Sequence, residues 1–408
     1  MAAEKGANYT IMKTKLPCQL LVIFFFRLLL NTGRRFIYPF APLLGRSLGV
    51  PLSAITSVLA FSQFVSLAGV VSGPVTDIIG TRFMMRMGLA MLAVGMLICG
   101  LVPHYWFVFF GLVLGSMGKT VFDPAIQSFI GNYVPYERRG RVVGLIETSW
   151  AGATLIGIPA LGLIIDHGGL PGCFVILGVL GGLSWMAIGA LVVSDGEKTG
   201  QRLGAGALFT SIIGLFHVRP AAGLLGFGFW ISLANDSLFV VYGNWFEQEF
   251  MVGVATLGFS TVAIGSAELM GEGVTAFFAD RAGLKKMVTI GLTMSIGAYL
   301  LLPVIGQNLF FAMVGIFLVF LFFETTMVTS FSLGTELLPG SRATMMAGFY
   351  ATAGMGRMAG VLLGGVLWQV GGIQAVSWSA ALLSAVGLLS LRWGLKGWRP
   401  PKSSSSHS

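Results

Sequence analysis

Long apolar stretches alternate with short polar breaks along the chain. A run of about 20 apolar residues is long enough to cross a bilayer as an α-helix. The sequence lacks ten-residue segments of alternating polarity, which would indicate membrane strands. We therefore predict an all-α integral membrane protein with twelve transmembrane helices, at residues 17–44, 52–75, 84–103, 105–131, 140–165, 171–194, 220–246, 254–278, 285–305, 308–336, 343–367 and 372–394.

The longest polar break divides the twelve helices into six and six. The first apolar run is too long for a cleaved signal peptide, and Arg27 interrupts it. The predicted organisation is an N-terminal six-helix half at 1–194, a cytoplasmic linker at 195–219, a C-terminal six-helix half at 220–394 and a disordered cytoplasmic tail at 395–408.

The two halves repeat one another at a nearly constant spacing. A duplicated six-helix unit is typical of transporters whose substrate path lies between the two repeats. The corresponding pairs are Asp77 and Asp280, Asp123 and Glu324, and Arg141 and Arg342, which are 203, 201 and 201 residues apart.

Basic residues concentrate on one side of the predicted membrane. When both termini are placed in the cytoplasm, Arg46 is the one residue of the 25 Lys and Arg that falls in an outer loop. Cytoplasmic loops of membrane proteins carry such an excess of positive charge. We therefore expect a multi-pass protein of the plasma (inner) membrane with both termini cytoplasmic.

Composition agrees with a membrane protein and argues against other classes. Charged residues make up 10% of the chain, against about 25% in soluble domains. The net charge of +9 does not indicate a nucleic-acid partner, because the basic residues lie in short loops. No CxxC, HExxH, P-loop or GxSxG pattern occurs. We expect no metal, no cofactor and no enzymatic activity.

A loop motif follows the second predicted helix and recurs after the eighth. Gly73, Asp77 and Gly80 fit the pattern G-x-x-x-D-(R/K)-x-G-(R/K), with Arg82 one position beyond its last basic residue and Ile78 in place of the first. Glycine at such positions allows a tight turn. The second copy keeps its basic residue and consists of Asp280, Arg281, Gly283 and Lys285.

Through these loops the chain resembles the major facilitator superfamily, and the resemblance covers all twelve helices. It implies two six-helix halves that rock around a midplane cavity lined by helices one, four, seven and ten. It also implies that the motif aspartate anchors one half against the other at the cytoplasmic side. We assign Arg141 and Arg342 to the same conformational motif. The alternative for these residues is an ordinary solvated loop.

Helix five carries the sequence GATLIGIPALG at 152–162. It resembles the Gly/Pro motif of the superfamily's antiporters, with Gly157 and Pro159 separated by one residue. Small residues let helices approach closely, and proline can kink a helix. Ordinary close packing is the alternative. The stretches 135–150 and 267–273 resemble bacterial efflux-type members of the family.

Ionisable residues inside the bilayer are costly and mark candidate sites. Arg34 and Asp236 correspond in the two halves, so they are expected to pair as a gate, to bind the two ends of a zwitterion, or to form a permanent salt bridge. In helix one, residues spaced three or four apart share one helix face; these are Arg27, Asn31, Arg34 and Tyr38. The predicted cavity residues are Arg27, Asn31, Arg34, Tyr38, Asp123, Asn235, Asp236, Glu324 and Arg357.

Carboxylates within the predicted helices are candidates for carrying a coupling proton. Glu268 and Glu272 lie one turn apart, and two close carboxylates in a low dielectric should not both ionise. The alternative is that Glu272 pairs with Arg281. Glu324 is the second candidate.

The two equivalent acids of helices four and ten differ in their nearest base. Lys119 lies one turn from Asp123 and is expected to neutralise it. Glu324 has no base one turn away, and Arg357 is its expected partner. We predict Glu268, Glu324 and Glu272 as the proton-coupling residues.

These observations favour a secondary transporter that moves a small organic solute by proton-coupled efflux. A proton-coupled importer of an anionic or zwitterionic nutrient is the first alternative. A receptor or scaffold is disfavoured because no sizeable soluble domain is present. The expected partners are a small-molecule substrate, protons and the lipid bilayer, with no nucleic acid, and the protein is expected to be monomeric.

Overall fold

The computed structural model describes residues 2–67, 72, 75–76, 78–192, 213–338 and 341–398. Gly73, Asp77, most of the predicted linker and the tail from residue 399 lie outside these residues. The helices are α1 Ala2–Arg35, α2 Ile37–Leu48, α3 Leu52–Ser66, α4 Thr81–Leu101, α5 Tyr105–Tyr133, α6 Tyr136–Glu147, α7 Ser149–Gly152, a π-turn at Ala153–Gly157, α8 Ile158–Leu191, α9 Arg219–Phe239, α10 Tyr242–Phe250, α11 Val254–Ala282, α12 Leu284–Ile305, α13 Leu309–Leu337 and α14 Arg342–Gly394.

In the described part of the chain, nine helical stretches are long and apolar enough to cross a membrane. Two of them, Arg141–Leu191 and Thr344–Gly394, are 51 residues long. Each contains two spans, separated by non-helical backbone at Gly169 in the first and at Gly371 and Gly372 in the second. With these two extra spans and the shorter apolar helix α3, the number reaches twelve. The prediction of an all-α membrane protein with twelve helices is confirmed.

The turns that precede α4 and α12 share one backbone geometry. Gly80 has φ 105° and ψ 147°, and Gly283 has φ 83° and ψ 132°. A positive φ is readily adopted by glycine because it has no Cβ. Both glycines belong to the loop motif found in the sequence, so its two copies form equivalent turns.

The chain forms two compact units. α3 is grouped with the second unit, and the first part of α11 is grouped with the first unit. The division of the helices at 195–219 stays a prediction, since residues 193–212 are not described. The first unit contains Met1–Pro51, Ala68–Arg202 and Gly253–Gly265, and the second contains Leu52–Leu67, Leu203–Val252 and Ser266–Ser408.

Glycine contacts between helix backbones hold the first unit together. A Cβ added to Gly95 of α4 would collide with the carbonyl oxygen of Gly111 in α5. The same holds for Gly118 of α5 and the carbonyl oxygen of Gly88 in α4. Small residues permit this close approach in membrane helices, where van der Waals packing drives association.

The second unit repeats this type of packing between α9 and α14. A Cβ on Gly356 would collide with the carbonyl oxygen of Phe229, and a Cβ on Gly360 with that of Leu233. α9 thereby comes to lie in the interior of the unit. Its polar residues near Phe239 are buried as a consequence.

Candidate functional site

A cluster of charged side chains lies inside the first unit, and Arg27 of α1 is at its centre. Its residue exposure is 6%. Nε donates to Oδ1 of Asp123 at 3.1 Å, and Nη2 donates to Oε2 of Glu147 at 2.9 Å. Nη1 donates to the carbonyl oxygen of Ile146 at 2.9 Å. All three guanidinium nitrogens are therefore bonded, as a buried charge requires.

Asp123 of α5 is shared between two cations. Its Oδ1 accepts from Arg27, and its Oδ2 accepts from Nζ of Lys119, which lies one turn earlier on α5. Lys119 is 4% exposed. The local base expected from the sequence is present, and a second base from α1 joins it. Each carboxylate oxygen of Asp123 thus holds one positive charge.

The acidic side chains are the more accessible part of this cluster. The side chains of Asp123 and Glu147 are 31% and 44% exposed, whereas those of Arg27 and Lys119 are 8% and 5% exposed. The two cations therefore lie behind the two carboxylates.

Trp150 of α7 has cations near its ring from two helices. The guanidinium carbon of Arg35 lies 4.1 Å from the ring centroid, and Nζ of Lys119 lies 5.6 Å from it. Both distances fall within the range of cation–π attraction. Arg35 is 3% exposed, and its Nη1 also donates to Oγ1 of Thr154 at 2.8 Å.

The other predicted residues of helix one have different surroundings. Nδ2 of Asn31 donates to Oγ of Ser149 at 3.2 Å, so Asn31 joins the cluster. Arg34 is partly exposed, and its charge acts on Lys119. Tyr38 is buried in α2. Phe36, between α1 and α2, has right-handed helical backbone angles, so α2 continues α1.

Three residues of this cluster were not among the predicted cavity residues: Glu147, Ser149 and Arg35. Glu147 is an ionisable residue inside the fifth predicted run, so the criterion applied to the other buried charges would have included it. Its pairing with Arg27 joins positions 120 residues apart in the chain. No local sequence pattern reports such a contact.

The helix that carries the cluster changes geometry directly after it. The N–H of Ile158 donates to the carbonyl oxygen of Ala153, five residues earlier, which defines the π-turn. Pro159 has no N–H and cannot continue the α-helical pattern. A Cβ on Gly157 would collide with Oγ1 of Thr32 in α1. Glycine at this position therefore lets the turn contact α1.

The second unit brings carboxylates of α11 and α13 into one region. Glu268 of α11 is 2% exposed. α13 approaches α11 at Gly271, where an added Cβ would lie 2.9 Å from Cβ of Glu324. Gly271 stands three residues after Glu268 and directly before Glu272. Glu324 therefore lies beside the part of α11 that carries the other two acids.

The predicted residues of helix seven are buried near the end of α9. Asn235 and Asp236 are each 5% exposed. Tyr299 of α12 is also buried. Arg357 is partly exposed on α14.

The basic residues assigned to the conformational motif are accessible. Arg82 is partly exposed, while Arg141 and Arg281 are exposed. Arg342 is also exposed, and its Nε donates to the carbonyl oxygen of Thr335 at 3.1 Å. These positions lie outside the buried cluster.

Comparison with known proteins gives consistent results. The model of the Major Facilitator Superfamily matches residues 23–234 and 224–408. The MFS-type transporter YceJ of Bacillus subtilis is 21% identical over 315 residues, which cover 76% of this chain and 79% of that protein. The multidrug resistance protein MdtG of Salmonella arizonae is 33% identical over 154 residues, or 36% of this chain and 38% of that protein.

A similar fold occurs among solved structures. One is a bacterial homolog of the human lysosomal transporter Spinster in an inward-facing, unoccupied conformation. The TM-score is 0.72 with 17% identity, and the match covers 94% of this chain and 99% of that chain. At this identity the likeness shows the fold.

Proposed function

Because the chain belongs to the Major Facilitator Superfamily, we propose that it exports a small organic solute in exchange for protons. The protein is a multi-pass membrane transporter and not an enzyme. It moves a small-molecule substrate by secondary transport with alternating access. Proton coupling, the direction of transport and the class of solute are the parts that we propose.

One observation carries the proton coupling: the gathering of acids on α11 and α13. Glu268 is 2% exposed, and Glu324 lies beside α11 at Gly271. Several carboxylates in one low-dielectric region repel one another when all are ionised. Binding a proton relieves that repulsion, and releasing it restores the charge. We assign the coupling proton to Glu268, with Glu324 and Glu272 as its neighbours in the exchange.

Two observations support export. MdtG, which shares 33% identity over 154 residues, bears the name of a multidrug resistance protein. The helix-five segment with Gly157 and Pro159 forms a π-turn in contact with α1, and its sequence resembles the motif of antiporters. Exchange against an inward proton gradient drives the solute out.

The accessible carboxylates of the first unit support a solute with a cationic group. Asp123 and Glu147 are several times more exposed than the cations that they bind. An ammonium group would meet these oxygens before it met Arg27 or Lys119. Trp150 adds an aromatic surface next to them.

Import of an anionic or zwitterionic nutrient is the second candidate. It is favoured by Arg34, a cation in a predicted span that is partly exposed. A carboxylate of the solute would bind there, and protons would then move in the same direction as the solute.

We also propose a monomer in the plasma membrane with both termini in the cytoplasm. The distribution of Lys and Arg supports this orientation. Tags at the two termini should be protected in intact cells and accessible after permeabilisation. The purified protein should have the mass of one chain in light scattering.

Flux into proteoliposomes under an imposed pH gradient tests the proposal. The solutes are labelled tetraphenylphosphonium as a cation, benzoate as an anion and lactose as a neutral sugar. We expect the cation to accumulate in vesicles that are acidic inside, and to be released when a protonophore collapses the gradient. In vesicles that are acidic outside, benzoate accumulation above that of protein-free liposomes would instead support the second candidate. Gradient-independent flux of all three solutes would contradict proton coupling.

A further inference from the structure

The π-turn leaves one backbone carbonyl without its helical donor. In an α-helix the N–H of Ile158 would donate to the carbonyl oxygen of Thr154, four residues earlier. It donates instead to Ala153. The next residue, Pro159, has no N–H to replace it. A buried carbonyl without a donor is costly, so the Thr154 oxygen needs a donor from elsewhere.

A side chain of α11 supplies that donor. Oγ1 of Thr261 donates to the carbonyl oxygen of Thr154 at 2.7 Å. Thr261 is fully buried. The same hydroxyl lies 2.8 Å from the carbonyl oxygen of Gly258 in its own helix. A hydroxyl has one hydrogen and donates to one of these two oxygens at a time.

We infer that the two acceptors correspond to two arrangements of the turn. In the one that the structure shows, Thr261 supplies the donor that the π-turn removes from the Thr154 oxygen. In the other arrangement, Thr261 donates to the carbonyl oxygen of Gly258. The N–H of Ile158 then donates to the carbonyl oxygen of Thr154, as in an α-helix. That exchange makes the turn α-helical and rotates its two flanks by about 100° relative to each other. The flank that precedes the turn carries Glu147.

We propose that Thr261 is a positioning residue of the transport cycle. Its hydroxyl holds the π-turn that directs Glu147 and Ser149 towards Arg27, and it releases the turn when α11 moves. Arg35 supports the same arrangement, because its Nη1 donates to Oγ1 of Thr154 at 2.8 Å. The inference rests on alternating access alone and is independent of the proposed proton coupling.

Chemical cross-linking across the cluster tests this assignment without a substrate. Reporter cysteines are introduced as Asn31→Cys and Ser149→Cys, whose native side chains are hydrogen-bonded at 3.2 Å. The three native cysteines are replaced by alanine. A short bis-methanethiosulfonate reagent then reports how often the two positions face each other. The native cysteines are Cys18, Cys99 and Cys173.

Substitutions at residue 261 should separate the hydroxyl from the shape of the side chain. Thr261→Val should slow cross-linking by about fivefold, the factor that corresponds to one net hydrogen bond. Thr261→Ser keeps the hydroxyl and should cross-link at the reference rate. Ser260→Ala is the matched control, since that hydroxyl donates to Leu257 within α11. It too should leave the rate unchanged.

Two results would overturn the assignment. One is a Thr261→Val protein that cross-links as fast as the reference. The other is a Thr261→Ser protein that is as slow as Thr261→Val. If Thr261→Val does not fold, Thr261→Ala carries the same test, because it also removes the hydroxyl. Its cross-linking should slow, and an unchanged rate would contradict the proposal.

Discussion

The two units place different residues one turn before their equivalent acids. In the first unit, Asp123 of α5 accepts from both Lys119 and Arg27. The equivalent acid of the second unit is Glu324 of α13, 201 residues later. The residue that corresponds to Lys119 in the second unit, also 201 residues later, is Phe320. It is 2% exposed and packs edge-on against the ring of Phe239 in α9. One turn before the acid, the first unit thus has a lysine and the second has a buried phenylalanine.

We propose that this difference separates a structural role from a transport role within one repeated architecture. A carboxylate held by two cations contributes to a fixed cluster, because losing its charge would remove the ionic partner of Lys119 and leave Arg27 with Glu147. A carboxylate among other acids gains from binding a proton. The repeat has therefore kept the positions of its acids and changed what surrounds them.

Removing the central cation of the first unit should have the largest effect. Arg27→Gln leaves Glu147, one oxygen of Asp123 and a backbone carbonyl without the donor that they share, so the free energy of unfolding should fall by about 3–5 kcal/mol. Denaturant titration in detergent measures it. Arg138→Gln, at an exposed site, should change it by less than about 0.5 kcal/mol. Equal stability of the two variants would show that the cluster is not structural.

Forcing the acidic helices of the second unit apart should have the next largest effect. Gly271→Ala places a Cβ against Glu324, and overpacking of this kind costs about 1–3 kcal/mol. Gly273→Ala in the same helix is the matched control, since nothing lies within 4 Å of its added Cβ. The same titration applies. A destabilised Gly273→Ala with an unaffected Gly271→Ala would contradict the described contact of α11 with α13.

Introducing a lysine one turn before Glu324, in imitation of Lys119 in the first unit, should reduce proton coupling. Phe320→Lys places an ammonium group four residues before Glu324, the spacing that separates Lys119 from Asp123. Accumulation driven by a pH gradient should fall by about tenfold, the effect of roughly one such charge interaction. Phe320→Leu should retain accumulation. If both variants accumulate solute equally well, Glu324 takes no part in the proton exchange.

Removing the more exposed acid of the first unit should have the smallest effect. The side chain of Glu147 is 44% exposed, so solvent screens its pairing with Arg27. Glu147→Gln should lower the free energy of unfolding by about 1 kcal/mol or less. Asp123→Asn, at a side chain 31% exposed with two cations, should cost more. The reverse order would mean that exposure does not set the strength of these pairs.

Sequence reasoning reached the fold because its signals are local or periodic. Apolar runs predicted the spans, and the glycine loop motif predicted the equivalent turns at Gly80 and Gly283, whose positive φ requires that residue type. The extent of the second helix beyond Ser66 stays a prediction, since much of 68–75 is not described.

The arrangement of the site was beyond sequence reasoning because its contacts are distant in the chain. The pairing of Arg27 with Glu147 depends on how α1 packs against the fifth span. The π-turn depends on a proline together with a hydroxyl 107 residues away, that of Thr261. The residue types were enough to identify the charges expected to be buried, but tertiary packing decides which of them contact one another.

The central claim is that the coupling proton is carried in the second unit, by Glu268. The most direct measurement follows proton movement in proteoliposomes that contain a trapped pH-sensitive dye, after addition of the solute that the flux experiment identifies. In Glu268→Gln, proton movement should stop while counterflow of labelled solute continues, because the glutamine fixes the uncharged state. Glu249→Gln, at an exposed acid, should move protons like the native protein. Undiminished proton movement in Glu268→Gln would contradict the account.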